Sequence, residues 1–189
     1  DLVYKYREMS QTSDCEIAVD NIVNEAIVVD EPNSPVQINL DQTDLTEGIK
    51  KKVRTEFTSI LDLLNFNNYG HEIFRRWYVE GKLYYHIMID ESDPKRGIVE
   101  LRSLDATKIK KMKQVKQEKT ADPRLAKIEI VPHYQYNEAG LDKRSSSGIM
   151  ISGDSIAYTT SGLLNPQKNM VMSYLHKAIK PLNQLRMVE

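Results

Sequence analysis

Between Ser13 and Ile27 apolar residues fall at Cys15, Ala18, Val19, Ile22, Val23, Ala26 and Ile27, the three-and-four spacing of a helix with one buried face. Ser13 to Glu16 (SDCE) has capping-box spacing, with Ser at the N-cap and Glu at N3. Asp30 to Pro35 (DEPNSP) breaks the helix. Val36, Ile38 and Leu40 then alternate with Gln37 and Asn39, the period of a half-buried strand. After a polar turn, Ile49, Val53, Phe57, Ile60, Leu61 and Leu64 mark the strongest helix. Asp44 and Glu47 stand at its start, where carboxylates suit the helix dipole. Asn65 to Gly70 (NFNNYG) ends it with residues that tolerate left-handed backbone.

The densest pattern follows. Ile73, Phe74, Trp77 and Tyr78 form a helical stripe suited to packing on the strand after it. In that strand Leu83, Tyr85, Ile87 and Ile89 fall on one side, and Tyr84, His86 and Met88 on the other. Both sides are mostly apolar, so the strand is expected to be covered on both faces. Glu91 to Gly97 (ESDPKRG) is turn chemistry, with Gly97 able to take positive φ, and Ile98 to Leu104 returns as the second strand of a hairpin. Leu104 to Ile109 suggests a single helical turn, Lys110 to Lys116 a third strand, and Gln117 to Arg124 a loop. Leu125 to Asn137 reads as a long strand in which Pro132 requires an edge position or a bulge. Glu138 to Gly148 reads as a flexible turn. Ile149 to Ile151 and Ser155 to Thr160 read as short strands, and Ser161 to Asn169 as a loop. From Ser173, a suitable N-cap, a stripe of Leu175, Ala178, Ile179, Leu182, Leu185 and Val188 marks a last helix. Pro181 should kink it or interrupt a bond. The fold class is α+β, with helices packed on an antiparallel, hairpin-based sheet.

Composition adds little to this picture. With 189 residues, 40% hydrophobic and 28% charged, the chain has the make-up of a folded, soluble domain large enough to bury a core without metal or disulfide. Cys15 is the single cysteine, which excludes an intrachain disulfide and fits a reducing compartment. No apolar run approaches the roughly 20 residues of a membrane span, and no signal peptide is visible. The non-Met start and the helical pattern at the end suggest a piece of a longer protein.

Charge is uneven. Asp1 to Glu47 holds 11 acidic and 2 basic residues, and Gly48 to Glu189 holds 16 acidic and 24 basic ones, balances of −9 and +8. The asymmetry suits either a solvated acidic face or head-to-tail contact between copies.

Catalytic motifs are missing: there is no phosphate-binding glycine loop, no G-x-S-x-G and no H-E-x-x-H. His86 and His133 both fall in expected strands and could meet, but packed strand histidines are the better reading, because no further ligand shows metal spacing. Asp90, Glu91 and Asp93 lack the ligand spacing of a calcium loop and read as a solvated turn. The run Lys108, Lys110, Lys111, Lys113, Lys116 and Lys119 is the main electrostatic feature. It offers phosphate contact with nucleic acid, or contact with another subunit, or an edge strand blunted by lysines against pairing. No aromatic is interleaved for base stacking, which favours the edge strand. No cofactor is implied.

The residues also resemble a known family. YKYREMS (Tyr4 to Ser10), VDNIVNEAIV (Val19 to Val28), FRRWYVEGKLYYHIMID (Phe74 to Asp90), ELRSLDATKI (Glu100 to Ile109) and SYLHKAIKPLNQLRMVE (Ser173 to Glu189) are similar, in order, to segments of the portal vertex proteins of T-even-type contractile-tailed bacteriophages. One departure is Ala106, where that family usually has Pro after Leu-Asp. The resemblance implies a non-enzymatic subunit of a usually dodecameric ring at one capsid vertex, located in the virion and assembled inside the bacterial host. It implies a channel for double-stranded DNA in packaging and ejection, nucleation of head assembly, and joining of head to tail. Implied partners are the terminase large subunit, major capsid and scaffold proteins and neck or tail completion proteins. A transient association with the host membrane during assembly is also implied, from no segment present here. It implies a wing domain over residues 1–172 and the start of a stem helix over 173–189, with clip, channel loop and crown absent. The rival readings are a nucleic-acid-binding module using the lysine run and a phage-encoded hydrolase whose site is completed by missing sequence, which predicts a deep pocket with perturbed carboxylates near Asp90 to Asp93.

Overall fold

The computed structural model describes residues 2–28, 34–117, 128–141, 148–167 and 169–187, with backbone alone at 114–117 and 128–130. Five α-helices (α1 Leu2–Ser10, α2 Ser13–Ala26, α3 Glu47–Leu63, α4 Phe66–Glu80, α5 Ile179–Arg186) accompany six strands. The strands are β1 Lys82–Ile89, β2 Ile98–Leu104, β3 Ile109–Gln117, β4 Ile128–Tyr136, β5 Ile149–Ser152 and β6 Ile156–Thr160. The α+β class holds. The strands form two antiparallel-paired sheets of three, ordered β2-β1-β6 and β3-β4-β5. The chain divides into two compact units, Asp1–Tyr4 with Lys82–Thr159, and Lys5–Gly81 with Thr160–Glu189.

In the strand-rich unit, the β1–β2 hairpin pairs Tyr84 with Leu104 and Met88 with Glu100, with an irregularity after Met88. Gly97 takes φ +83° as the turn chemistry requires. β1 is central, yet its coverage fades: Leu83 and Tyr84 are buried while Ile89 is exposed. The expectation of cover on both faces therefore holds only for its first half. Val3, Tyr84, Ala106, Ile109, Tyr134 and Ile156 form one buried cluster. Tyr84 stacks on Tyr158 at 4.7 Å and meets the edge of Tyr134 at 6.0 Å, and burial pushes the Tyr84 phenol well above its ordinary range.

Residues 105–108 form a hydrogen-bonded turn rather than a helical one. Asp105 Oδ1 accepts from the Thr107 amide at 2.8 Å and its hydroxyl at 2.7 Å, and this short-range bonding competes with helix. Ala106, buried at its centre, fills the place where the resemblance leads one to expect Pro. β4 is the middle strand of its sheet, so Pro132 is not on an edge strand. However, the β4–β5 ladder ends at His133↔Ser152, and Pro132 has a partner, Lys113, on the β3 side alone. The edge condition is met locally, within a central strand. The loop expected at 117–124 and the first residues of the strand expected from Leu125 lie outside the described residues from 118 to 127. Much of the expected 138–148 turn does too.

In the helical unit, α4 packs on α2, α3 and the 3₁₀ turn Tyr174–Ala178. Cys15, Val19, Val23 and Ile27 give α2 its buried stripe, but Ile22 is 37% exposed. Thr12, not Ser13, is the N-cap of α2. No side chain caps it, because the Thr12 hydroxyl donates back to the Met9 carbonyl. Val36 to Leu40 is not a strand. Its side chains alternate in burial as the pattern predicts, but among the described residues no strand pairs with it. Asn65 is left-handed (φ 46°) as expected, but α4 starts at the next residue, so 66–70 belong to a helix rather than a terminator. Gly70 fits there because its bare Cα faces Phe66 and Ile27.

Ser173 caps as expected: its Oγ accepts from the Leu175 amide at 2.9 Å. It caps a 3₁₀ turn, which becomes α5 only at Ile179. That change places Pro181 in the first turn of α5, where a missing N–H forfeits no helical bond. Val188 lies outside the described residues.

Candidate functional site

The lysine strand is present as expected, β3, and it is the edge of its sheet. Its two-residue period divides the cluster. Ile109, Lys111 and Lys113 share one side, and Lys110 and Met112 the other. Across the ladder Lys110 meets Gln135, Lys111 Tyr134, Lys113 Pro132 and Lys116 Glu129. Lys108 stands before the strand and is already paired, with Nζ 2.6 Å from Glu138 Oε1. The Tyr136 hydroxyl donates to the other oxygen of the same carboxylate. The Glu138 contact raises the Lys108 ammonium, while Lys108 and then Tyr136 hold the Glu138 carboxyl below its ordinary range. Lys111 Nζ lies 5.3 Å from the centroid of the Tyr158 ring. Lys110, Lys111 and Lys113 are all exposed. The Lys116 side chain and all of Lys119 lie outside the described residues. Among the described residues the run is therefore not one continuous phosphate-facing row: Lys108 is neutralised, Lys111 sits on an aromatic face, and Lys110 points to the side opposite Lys111 and Lys113.

His86 pairs with Arg102 in one sheet and His133 with Met112 and Ser152 in the other. Among the described residues no group of three or more His, Cys, Asp or Glu is placed to hold a metal. Asp90 instead accepts from the Ser92 amide at 2.9 Å, closing its own turn.

Sequence reasoning missed a closely bonded place in the helical unit. Gly81 ends α4 with φ +75°, and its amide donates to the Trp77 carbonyl. Its carbonyl accepts from the Ser161 amide at 2.8 Å. The Ser161 hydroxyl donates to the Met172 carbonyl at 2.6 Å, and the Ser173 hydroxyl donates to the Tyr78 carbonyl at 3.1 Å. Tyr174 stacks on Tyr78 at 5.0 Å and lies 5.4 Å from Trp77. These contacts bind the end of α4 to the segment that runs on into α5. The signal was available as Glu80-Gly81 directly after a helical stripe. Beside this place Glu80 is buried, and its Oε1 accepts from Arg7 Nη2 at 2.7 Å and Nε at 3.0 Å. Arg7 belongs to α1, a helix given no assignment from sequence although Val3, Tyr6 and Met9 recur at three-residue spacing and are buried.

The helical unit also has a groove of about 480 Å³, with Phe57, Leu61, Val36, Ile38 and Phe66 as its apolar lining and Arg54 and Asp62 as charged groups. α3, which forms one wall, has no fully buried residue.

The model of the family described as Bacteriophage T4-like portal protein (Gp20) matches residues 1–189. The chain is 31% identical over 199 residues to the portal protein of Vibrio phage KVP40, covering 100% of this chain and 38% of that one. It is 29% identical to the portal protein of Salmonella phage ViI, covering 97% of this chain and 35% of that one. The chain thus spans little more than a third of the length of these relatives. With a match that runs across every described element of both units, the chain belongs to the T4-like portal protein family.

Proposed function

We propose that this chain is the wing portion of a portal subunit, a structural part of the ring at the unique capsid vertex, acting in the virion. The single observation that carries the reading is the family match across all 189 residues. Residues 1–172 are the wing, and 173–189 begin the stem. The Ser173-capped turn passing into α5 supports that division. The subunit works with copies of itself in a dodecameric ring around the DNA channel. The terminase large subunit, capsid and scaffold proteins, and neck and tail proteins bind the assembled ring. Its part is mechanical, and the ATP hydrolysis of packaging belongs to the terminase. During assembly the host membrane is a transient partner; among the described residues no helix is long and apolar enough to cross it.

Opposite charge supports lateral contact between copies, the amino-terminal part carrying −9 and the remainder +8. Of the described lysines of the run, Lys110, Lys111 and Lys113 are exposed, and Lys110 and Lys113 are the two not held on an aromatic face. Sedimentation velocity of the full-length chain tests the reading. A salt-sensitive ring species weakened by reversing Lys110 and Lys113 is expected. Ring assembly indifferent to both salt and reversal would overturn the lateral role of these lysines.

A further inference from the structure

Two surfaces of the helical unit carry opposite charge beside uncovered apolar residues, and they do not satisfy each other within one copy. α2 holds Asp14, Glu16, Asp20 and Glu25 and no basic residue. Asp20 reaches Arg75 of α4, but Asp14 and Glu25 have no partner among the described residues. Beside Asp14, Ile17 is 63% exposed. Asp14, Ile17 and Asn21 recur at three and four residues and so share one side of the helix, away from the buried Cys15, Val19 and Val23. On α3 the excess is basic, with Lys51, Lys52 and Arg54 unpaired among the described residues and Lys50 answering Glu47. Arg54 lines the groove described above, followed along the helix by Phe57, Leu61 and Asp62.

We infer that α2 of one copy seats along the α3 groove of a second copy, running parallel to α3, with Ile17 in the apolar groove, Asp14 on Arg54 and Asn21 on Asp62. The inference rests on the ring reading above and names the contact surface for it. The spacings agree. At about 1.5 Å per residue, Asp14 to Asn21 spans about 10.5 Å and Arg54 to Asp62 about 12 Å. The order of chemistry agrees as well: acid, apolar and amide on α2 meet base, apolar and acid on α3. An antiparallel seat would set Asp14 against Asp62, and like charges discriminate against it. The two surfaces are different patches of one chain, so the contact is heterologous and repeats around a ring instead of closing a pair.

The test uses the full-length chain. Asp14→Arg or Arg54→Asp alone should raise the protein concentration needed for half-maximal ring assembly about tenfold, as a rim charge contact turned repulsive does. The double exchange should return it to near the parent value. Should either variant fold poorly, Ile17→Cys with Thr58→Cys in one chain reports independently: oxidation of assembled rings should give a ladder of covalent multimers on a non-reducing gel. Rings of the double-cysteine chain that give no ladder, or a double exchange no better than the single changes, would overturn the seat and leave the ring reading standing. A parent chain that forms no ring at all would overturn both.

Discussion

Gly81→Ala tests the packing at the end of α4 most sharply. The residue sits at φ +75°, where an L side chain costs roughly 1–2 kcal/mol. Losing glycine's freedom in the unfolded chain returns about 0.4–1 kcal/mol of that. The greater cost is steric. A Cβ here would stand 2.7 Å from the Met172 carbonyl oxygen and 2.9 Å from Ser173 Cα, both backbone atoms with no rotamer to move. Residues 172–173 must shift, and with them the bonds from Ser161 to Met172 and from Ser173 to Tyr78. Weakening two such bonds adds about 2 kcal/mol, for a total near 3 kcal/mol. Gly162→Ala is the matched control: its φ is +77°, but nothing lies within 4 Å of the added carbon, so only the net conformational cost of about 1 kcal/mol remains. Urea unfolding followed by Trp77 fluorescence suits both variants, since Trp77 is the only tryptophan and lies 5.4 Å from the Tyr174 ring. A Gly81→Ala loss no larger than that of Gly162→Ala would refute the reasoning.

Three further outcomes follow from the same structure. Arg7→Met withdraws a partner from Glu80, whose side chain is 5% exposed against 32% for Arg7; because Arg7 is partly solvated the loss should be about 2 kcal/mol, below the full buried-pair range, and a loss under about 0.5 kcal/mol would count against the pair. Glu138 should titrate below its ordinary 4.5 in a carboxyl NMR titration and return towards it in Lys108→Met; with its folded value depressed, its stabilising share is present above 4.5 and fades as pH falls through the folded value, and an unchanged titration in the variant would contradict the contact. The Tyr84 phenol, raised by burial, should stay protonated when exposed tyrosines ionise, so stability is intact below the ordinary value of 10.0 and falls as pH rises beyond it. Spectrophotometric titration showing all ten tyrosines ionising together, before unfolding, would contradict its burial.

The elements most legible in the sequence were those whose period and punctuation agree. The β1–β2 hairpin is one, with alternation on both arms and Gly97 between them. The short pair β5 and β6, split at Gly153, is another. α3 was clear from its stripe alone. What failed to show was pairing at long range. Val36 to Leu40 has a strand's alternation and, among the described residues, no strand paired with it. The six described strands divide into two sheets, which nothing in local pattern distinguishes from one. A helix starting at Ser173 would be broken by Pro181, but the 3₁₀ turn before Ile179 makes Pro181 a first-turn residue of α5. The lysine run was visible as composition, but its division between two sides of β3, and the capture of Lys108 by Glu138 across 30 residues, depend on register. The family resemblance depended on none of this, because it rested on whole segments rather than on element boundaries.

The central claim, that the chain is part of a ring-forming portal subunit, is tested most directly by negative-stain electron microscopy of the chain extended to the full length of its relatives. Rings with a central channel are the expected result. A monomer that persists across protein concentration and salt would contradict it.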